Sequence, residues 1–267
     1  MNQLLFQSII ASLNAGEKIM DIYTDPKSDF GIERKRDNSP LTIADKASHQ
    51  AIMAYLEQTD YPIISEEGKD IAYTDRATWQ TLWMVDPLDG TKEFIKQNGE
   101  FTVNIALIEK GVPILGVIYL PVKKTLYFGA AEFGAYRVNN IDFESPLTTL
   151  TELIHQATRL PINRADDSFK IVASRSHQSA ETKAYIDLMI QQHGKVELVS
   201  SGSSIKICMV AEGSADTYPR FAPTMEWDTA AGHAIANAAG KEIWQVNHNE
   251  PIRYNKESLL NPYFIVD

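Results

Sequence analysis

Two aspartates lie three residues apart in the segment Asp86-Pro87-Leu88-Asp89-Gly90-Thr91, directly after an apolar run. Pro87 fixes one backbone angle and Gly90 permits angles that other residues avoid, so the segment is typical of a tight turn. Carboxylates on one turn repel each other. A divalent cation offsets that repulsion by its charge, and Mg²⁺ prefers oxygen ligands such as these. The pattern therefore predicts a metal site, with a surface turn of solvated aspartates as the alternative.

Two further acidic groups stand where predicted elements meet loops. Glu66-Glu67 closes the apolar segment 62–65, and Asp228 opens a predicted helix rich in small residues. Each has a simpler interpretation, since a loop glutamate is commonly solvated and an aspartate at a helix start commonly caps the helix. A metal site therefore requires that the fold bring three distant acidic clusters together, which spacing alone does not establish.

The first part of the chain predicts two helices and then a meander of strands. Apolar residues from Leu5 to Tyr23 recur at the three- and four-residue steps of an amphipathic helix. A second helix is predicted from Thr42, whose capping-box partner is Asp45, to about residue 56. Strands are predicted at 62–65 and 82–85, the latter ending at Asp86. The β-rich segments 101–108, 113–120, 125–128 and 135–138 predict an antiparallel meander.

After residue 170 the pattern changes to strands that alternate with helices. We expect strands at 171–173, 196–199, 215–218 and 243–246, and helices at 180–192, 203–211 and 228–239. Such alternation is typical of an α/β sheet, in which strand ends and helix starts form crevices. We therefore predict an α+β half over 1–145, a linker over 146–164 and an α/β half over 165–267.

The charge balance and the cysteine count of the chain exclude several classes of protein. Among 267 residues, 25 are Lys or Arg and 35 are Asp or Glu, which gives a formal charge of −10. This balance argues against a partner that is a nucleic acid polymer. The single cysteine, Cys208, excludes a disulfide framework and fits a reducing compartment. Its apolar neighbours in a predicted helix indicate a buried thiol rather than a nucleophile. No apolar run reaches the roughly 20 residues of a transmembrane helix, and the start lacks a basic signal-peptide region, so we expect a cytoplasmic protein.

Three motifs, in this order, resemble the lithium-sensitive, Mg²⁺-dependent phosphomonoesterases. The motifs are Ser65-Glu66-Glu67, the segment 86–91 and Trp227-Asp228-Thr229-Ala230-Ala231-Gly232. This superfamily includes inositol monophosphatase, fructose-1,6-bisphosphatase and the 3′(2′),5′-bisphosphate nucleotidases. The resemblance implies a layered α-β-α-β-α sandwich with the metal site at the junction of the two halves.

The chain is closer still to the bacterial nucleotidases of the CysQ type. The matching segments are 86–94, 98–105, Ser174-Arg175-Ser176-His177, Gly202-Ser203-Ser204-Ile205-Lys206 and Tyr218-Pro219-Arg220-Phe221. The resemblance implies hydrolysis of adenosine 3′,5′-bisphosphate to AMP and phosphate, as in sulfur assimilation, with the 5′-phosphosulfate analogue left open. Inositol monophosphatase or fructose-1,6-bisphosphatase activity, and a non-catalytic sensor, are the alternatives. Oligomeric state and a peripheral position at the cytoplasmic face of the inner membrane also stay open.

The resemblance further implies two Mg²⁺ ions, with a third left open. Glu66, Asp86 and the Leu88 carbonyl would hold the first. Asp86, Asp89 and Asp228 would hold the second, so that Asp86 bridges the two. Paired cations stabilise both the attacking and the leaving oxygen of an in-line displacement. Li⁺ is expected to inhibit, because it would take a metal position with a single charge.

Thr91 and Asp45 are the expected catalytic pair by the same resemblance. Thr91 would orient the attacking water, and Asp45 would accept its proton through the threonine. The alternative for Asp45 is a first-turn acid favoured by the helix dipole. Backbone N–H groups of Gly90 and Thr91 would bind phosphate if they open a helix. Glu67 is expected to lie outside the coordination sphere or in solvent.

Substrate recognition is assigned to basic and hydroxyl side chains of the second half. Lys206 and Arg220 are candidates to bind a second phosphate, with surface ion pairs as the alternative. Ser203 is expected to begin a helix and either cap it or contact the substrate. His177 is expected to contact ribose or base, with a solvated loop histidine as the alternative. The remaining expected substrate contacts are Glu66, Leu88, Asp89, Gly90, Thr91 and Asp228.

Overall fold

The computed structural model describes residues 1–35, 38–145, 147, 149–173, 179–247 and 249–267. The helices are α1 (Asn2–Tyr23), α2 (Ile43–Leu56), α3 (Tyr73–Arg76), α4 (Thr91–Ile95), α5 (Leu150–Gln156), α6 (Ala180–His193), α7 (Ile205–Glu212) and α8 (Glu226–Ala238). The strands are β1 (Glu33–Arg34), β2 (Pro40–Leu41), β3 (Ile63–Ser65), β4 (Thr81–Asp89), β5 (Thr102–Glu109), β6 (Val112–Leu120), β7 (Thr125–Ala130), β8 (Gly134–Asn139), β9 (Thr158–Arg159), β10 (Phe169–Val172), β11 (Val196–Val199), β12 (Tyr218–Arg220), β13 (Ile243–Gln245) and β14 (Phe264–Val266). His177, a predicted substrate contact, lies outside the described residues.

A seven-stranded sheet in the order β3-β4-β5-β6-β7-β8-β9 forms the centre of the molecule. Its β3–β4 pair is parallel and its other pairs are antiparallel. Side chains of β5 alternate between two cores: Val103 and Ile105 pack with α1, whereas Ala106 and Ile108 pack with α8. Because both faces are covered, these strands are apolar almost throughout. The predicted meander is confirmed.

The second half adds two layers beyond α7 and α8. Strands β10 and β11 pair in parallel, β12, β14 and β13 form an antiparallel sheet, and α6 packs against the first pair. The layers are thus α1 with α2, the large sheet, α7 with α8, the small sheets, and α6. The predicted layered sandwich, an α+β part followed by an α/β part, is confirmed. No described helix is long and apolar enough to cross a bilayer.

Helix α8 lies unusually close to the large sheet. A Cβ atom built on Gly116 of β6 would stand 2.2 Å from the backbone oxygen of Ala231 in α8. A Cβ on Gly232 would stand 2.9 Å from side-chain atoms of Ile207 in α7. The small residues of α8 therefore allow the helix that carries Asp228 to pack tightly between sheet and neighbouring helix.

Strand β4 is longer than predicted. It does not end at residue 85 but continues through Pro87 to Asp89. Its register against β5 shifts between Asp86, which faces Asn104, and Asp89, which faces Thr102. A proline is tolerated in a strand at such an irregularity, since no ladder donor is needed there. The irregularity leaves both aspartates at one end of a well-anchored strand.

The segment 146–164, predicted to be a linker, contains regular structure. It includes α5, whose Leu153 packs in the core beside α1, and β9, which pairs with β8. The strand predicted at 215–218 is found at Tyr218–Arg220, and β14 was not predicted. Short elements such as β9 and β14 are stabilised by their sheet neighbours, so local sequence carries little signal for them. The division into two halves stays a prediction.

Candidate active site

One cavity of about 520 Å³ collects the residues that the sequence singled out. It opens where the ends of β3 and β4 meet the starts of α7 and α8. The predicted residues in its lining are Glu66, Asp86, Leu88, Asp89, Gly90, Thr91, Ser203, Lys206, Arg220 and Asp228. The fold thus brings the three distant acidic clusters together, as a shared metal site requires.

Asp86 is the most enclosed of the four carboxylates. It is 1% exposed, and the Leu88 backbone N–H donates to its Oδ1 at 3.1 Å. Helix α2 also holds this turn, because the Ser48 hydroxyl donates to the Pro87 carbonyl at 2.6 Å. The segment 86–89 is therefore fixed by backbone and neighbouring helix rather than by its own side chains alone.

Asp89 is oriented by a serine that the sequence analysis did not select. The Ser204 N–H donates to Asp89 Oδ2 at 2.6 Å, and the Ser204 hydroxyl lies 2.6 Å from the same atom. That hydroxyl also lies 2.8 Å from the Asp228 carbonyl oxygen and accepts from Asn104 Nδ2 at 2.8 Å. Ser204 therefore connects β4, β5 and α8. The sequence signal for this network was Asn104, a polar residue within an otherwise apolar predicted strand.

The prediction that Ser203 begins a helix is wrong. Helix α7 begins at Ile205, with Ser204 in the N-cap position. Ser203 precedes it with a φ of 43°, in the left-handed region. Because Gly202 is followed by two serines, composition alone could not distinguish the capping position from its neighbour. Ser203 nevertheless lines the cavity.

Asp228 belongs to the first turn of α8, which starts two residues earlier than predicted, at Glu226. Its Oδ2 accepts the Met225 N–H at 2.9 Å. The N-cap position itself is Met225, so the alternative that Asp228 is the N-cap residue is also incorrect. The hydrogen bond orients one carboxylate oxygen while the side chain still lines the cavity.

Two of the four carboxylates, Asp86 and Asp228, have raised pKa values. Burial, together with the charges of Glu66, Asp89 and Asp228, raises the pKa of Asp86 well above its usual range. Burial and the Asp89 charge raise the pKa of Asp228 to about 8. The site therefore concentrates negative charge in a buried place, which is the condition under which a divalent cation is stabilising.

Lys35, which sequence analysis did not select, contacts both glutamates of the pair. Its Nζ lies 2.8 Å from Glu66 Oε1 and also binds Glu67. Burial alone would lower the pKa of Lys35, but the two carboxylates outweigh burial and raise it. Burial raises the pKa of Glu67 to about 7 despite the lysine. Glu67 is thus a partner of Lys35, absent from the lining of the main cavity.

The described side chains include no group of three or more His, Cys, Asp or Glu residues already arranged to coordinate one metal ion. Charge repulsion adds to burial in raising the pKa values of Asp86 and Asp228, and Glu66 is in an ion pair with Lys35. The carboxylates nevertheless share one cavity, where a bound divalent cation would offset their repulsion.

Thr91 lines the cavity and contacts Asp45, which is absent from that lining. The Thr91 hydroxyl donates to Asp45 Oδ1 at 3.1 Å, and Asp45 is 1% exposed. Asp45 Oδ2 accepts the Thr42 N–H at 2.7 Å and the Thr42 hydroxyl at 2.5 Å. Asp45 is therefore a capping-box acid and a partner of Thr91 at once, through different oxygens. Burial raises its pKa.

Gly90 and Thr91 open the short helix α4, with Gly90 in its N-cap position at a φ of 98°. A Cβ on Gly90 would stand 3.0 Å from the Glu100 carbonyl oxygen. Both backbone strain and space therefore favour glycine here. Gly90 and Thr91 therefore stand at the start of a helix, which is the position that phosphate binding by their N–H groups requires.

Lys206 and Arg220 form the opposite side of the cavity. Lys206 Nζ lies 5.7 Å from the centre of the Tyr218 ring, and Arg220 Nη2 donates to the Pro223 carbonyl at 3.3 Å. Within the described part of the chain, neither side chain is in a direct ion pair. A second cavity of about 360 Å³ continues from them, lined also by Phe221.

Comparison with known proteins places the chain in a family. The model of the inositol monophosphatase family matches residues 1–263. The chain is 47% identical over 258 residues to "3′(2′),5′-bisphosphate nucleotidase CysQ" of Shigella flexneri, covering 95% of each chain. It is 59% identical to the crystal structure of CysQ from Bacteroides thetaiotaomicron, with a TM-score of 0.92 over 100% of this chain and 97% of that one. SuhB from Bartonella henselae, 20% identical with a TM-score of 0.73 over 99% and 93%, shares the fold. The chain therefore belongs to the inositol monophosphatase family.

Proposed function

We propose that the chain is a Mg²⁺-dependent phosphomonoesterase that hydrolyses adenosine 3′,5′-bisphosphate to AMP and phosphate. The observation that carries the proposal is the convergence of Glu66, Asp86, Asp89 and Asp228 on one cavity beside Thr91. The relative from Shigella flexneri is named for this nucleotidase activity and aligns over 95% of this chain. We also expect the protein to be cytoplasmic.

The donor set fits Mg²⁺. All four side chains offer carboxylate oxygens, and burial together with the neighbouring carboxylates raises the pKa values of Asp86 and Asp228. Glu66, Asp86 and the Leu88 carbonyl would hold one ion, and Asp86, Asp89 and Asp228 the other. When bound, such ions lower the pKa of an attacking water and neutralise charge on the phosphate. Whether a third ion binds is left open.

Thr91 and Asp45 supply the proton acceptor. Because the Thr91 hydroxyl donates to Asp45, its oxygen is free to accept a hydrogen bond from the attacking water and orient it. As the water attacks phosphorus, Thr91 takes the water proton and passes its own to Asp45. The raised pKa of Asp45 makes that carboxylate a better proton acceptor than a solvated aspartate.

The second phosphate of the substrate would bind the opposite side of the cavity. Lys206 and Arg220 offer charge there that no direct ion pair in the described chain neutralises. Arg220 can bind two phosphate oxygens at once, whereas Lys206 acts as a mobile charge. Ser203 and the Gly90 and Thr91 N–H groups are further predicted contacts. Inositol phosphates with one phosphate would leave these cations unused.

Phosphate release tests the proposal directly. We expect Mg²⁺-dependent turnover of adenosine 3′,5′-bisphosphate with a higher kcat/KM than that of inositol 1-phosphate or fructose 1,6-bisphosphate. Chelation should abolish turnover, and millimolar Li⁺ should inhibit it. A preference for inositol 1-phosphate would overturn the assignment of Lys206 and Arg220. Tight calorimetric binding of the nucleotide without turnover would instead indicate a sensor.

A further inference from the structure

A buried arginine outside the cavity binds a loop of the second half. Arg76, in α3, is 3% exposed. Its Nη1 donates to Asn255 Oδ1 at 2.8 Å and to the Lys256 carbonyl at 2.7 Å, and its Nη2 donates to the Glu257 carbonyl at 2.9 Å. Asn255 Nδ2 donates back to the Arg76 carbonyl at 2.9 Å. The arginine therefore fastens the loop 255–257 to the chain between β3 and β4.

The same loop is held from the other side by Glu226. This residue is fully buried and is the first residue of α8. Its carboxylate accepts the Asn255 N–H at 2.5 Å and the Lys256 N–H at 3.1 Å, and it binds the Lys256 ammonium. One three-residue loop thus lies between a buried arginine of the first half and a buried glutamate of the second.

These contacts lead to the Asp228 carboxylate. Asn261 Nδ2 donates to the Met225 carbonyl at 2.7 Å, and the Glu226 N–H donates to the Leu259 carbonyl at 2.8 Å. Both bonds hold the peptide group that follows the Met225 Cα atom, and the N–H on the other side of that atom is the group that orients Asp228 Oδ2. A shift of the loop would therefore move the donor that fixes this carboxylate.

We propose that Arg76, Glu226 and the loop 255–257 form a clamp that sets the distance between Asp228 and the opposite metal ligands. Arg76 stands ten residues after Glu66, which follows β3, and ten before Asp86, which lies in β4, in the connection between these two strands. The clamp thus joins the backbone segment bearing two ligands to the helix start bearing a third. Arg76 and Glu226 are positioning residues, and their role rests on the proposed metal site. Groups that orient metal ligands govern affinity for the metal without touching it.

Metal binding separates this role from a purely structural one. The probes are Mn²⁺ alone, followed by electron paramagnetic resonance, and the Mg²⁺ concentration that half-saturates phosphate release. For Arg76→Met we expect both to show about tenfold weaker binding, while kcat at saturating Mg²⁺ changes by less than about twofold. Arg76→Lys, which keeps the charge but loses the planar fork, should fall between Arg76→Met and the unaltered protein.

A matched control is Arg164→Met. Arg164 forms an ion pair with Asp216 at 2.8 Å, away from the cavity, so its removal should lower thermal stability without weakening Mn²⁺ binding. Asn255→Gly is the milder test if Arg76→Met does not fold, since Asn255 has a φ of 60° that glycine tolerates. Unchanged Mn²⁺ affinity in both clamp variants, or an equal loss in Arg164→Met, would overturn the clamp. If the unaltered protein itself binds no Mn²⁺ and needs no Mg²⁺, the proposed function fails instead.

Discussion

The cavity has two walls that are built differently. The acidic wall, Glu66, Asp86, Asp89 and Asp228, stands at the ends of strands and the start of a long helix, and backbone N–H groups bind Asp86, Asp89 and Asp228. The cationic wall, Lys206 and Arg220, consists of half-exposed side chains with few partners in the described chain. One wall is held by backbone hydrogen bonds, and the other has few such contacts in the described chain.

This difference separates reaction from recognition. Groups that act on the reacting phosphate must be held closely in position, because small displacements lose much of the rate. Groups that select among phosphorylated molecules need only offer charge at a suitable distance. Substitutions in the acidic wall should therefore affect every substrate, whereas substitutions in the cationic wall should affect one substrate more than another.

The largest effect is expected from Asp89→Asn. Loss of a carboxylate from the acidic wall removes several kcal/mol of metal-dependent stabilisation, or roughly a thousandfold in kcat, for all substrates alike. Phosphate release measured over a range of Mg²⁺ concentrations checks this. Asp142→Asn, at a half-buried aspartate that pairs with Lys124 away from the cavity, is the matched control. Turnover in Asp89→Asn comparable to the control would contradict the role of this wall.

Thr91→Val should lower kcat by about a hundredfold, because the water would lose its orienting and proton-accepting partner. KM should change little, since the phosphate charge is bound elsewhere. Thr91→Ser keeps the hydroxyl and should retain most of the activity. Steady-state kinetics of the two variants measure these effects. An equal loss of kcat in Thr91→Val and Thr91→Ser would contradict the role of the hydroxyl.

Removal of either cation should sharpen the contrast between the walls. Lys206→Met and Arg220→Met should each lower kcat/KM for adenosine 3′,5′-bisphosphate about tenfold or more, by loss of a charged hydrogen bond. The same variants should scarcely change kcat/KM for inositol 1-phosphate. Lys124→Met, at an exposed turn, is the control. Equal losses for both substrates would place the cations with the reaction rather than with recognition.

The smallest effect concerns the metal-free protein. Because the pKa of Asp228 is raised to about 8, the native state binds more protons than the unfolded state between its ordinary value and pH 8. The free energy of unfolding therefore falls as pH rises through that window. Calorimetry of chelated protein should show this fall, and Mg²⁺ should reverse it at pH 8. Asp228→Asn should reduce the slope, and Lys206→Met should not; an unchanged slope in Asp228→Asn would contradict the assignment.

The sequence predicted what local chemistry determines. The spacing of Thr42 and Asp45 predicted a capping box because both groups act within one helical turn. The β-rich segments between 101 and 138 predicted the meander because each strand pairs with its neighbour in sequence. The buried state of Cys208 followed from its apolar helical neighbours and is confirmed, since the residue is 0% exposed.

The contacts that complete the site were beyond sequence reasoning. Ser204 reaches Asp89 across 115 residues, and Arg76 reaches Asn255 across 179. Nothing in the neighbourhood of Lys35 indicates that it binds Glu66, because that pairing depends on where the β1–β2 hairpin lies. The convergence of the acidic clusters itself came from a resemblance, not from spacing. Long-range packing decides such pairings, and periodicity does not record it.

Because Gly116 has no side chain, helix α8 can approach strand β6 more closely than any other residue would allow. A single methyl there would stand 2.2 Å from the Ala231 backbone, whereas ordinary contact begins at 3.4 Å. Helix α8 would have to retreat by about an ångström, and displacements of that size cost enzymes on the order of a hundredfold in rate. The position of Asp228 relative to the opposite acids thus depends partly on the absence of a Cβ atom at Gly116. This glycine lies in β6, a strand that does not line the cavity.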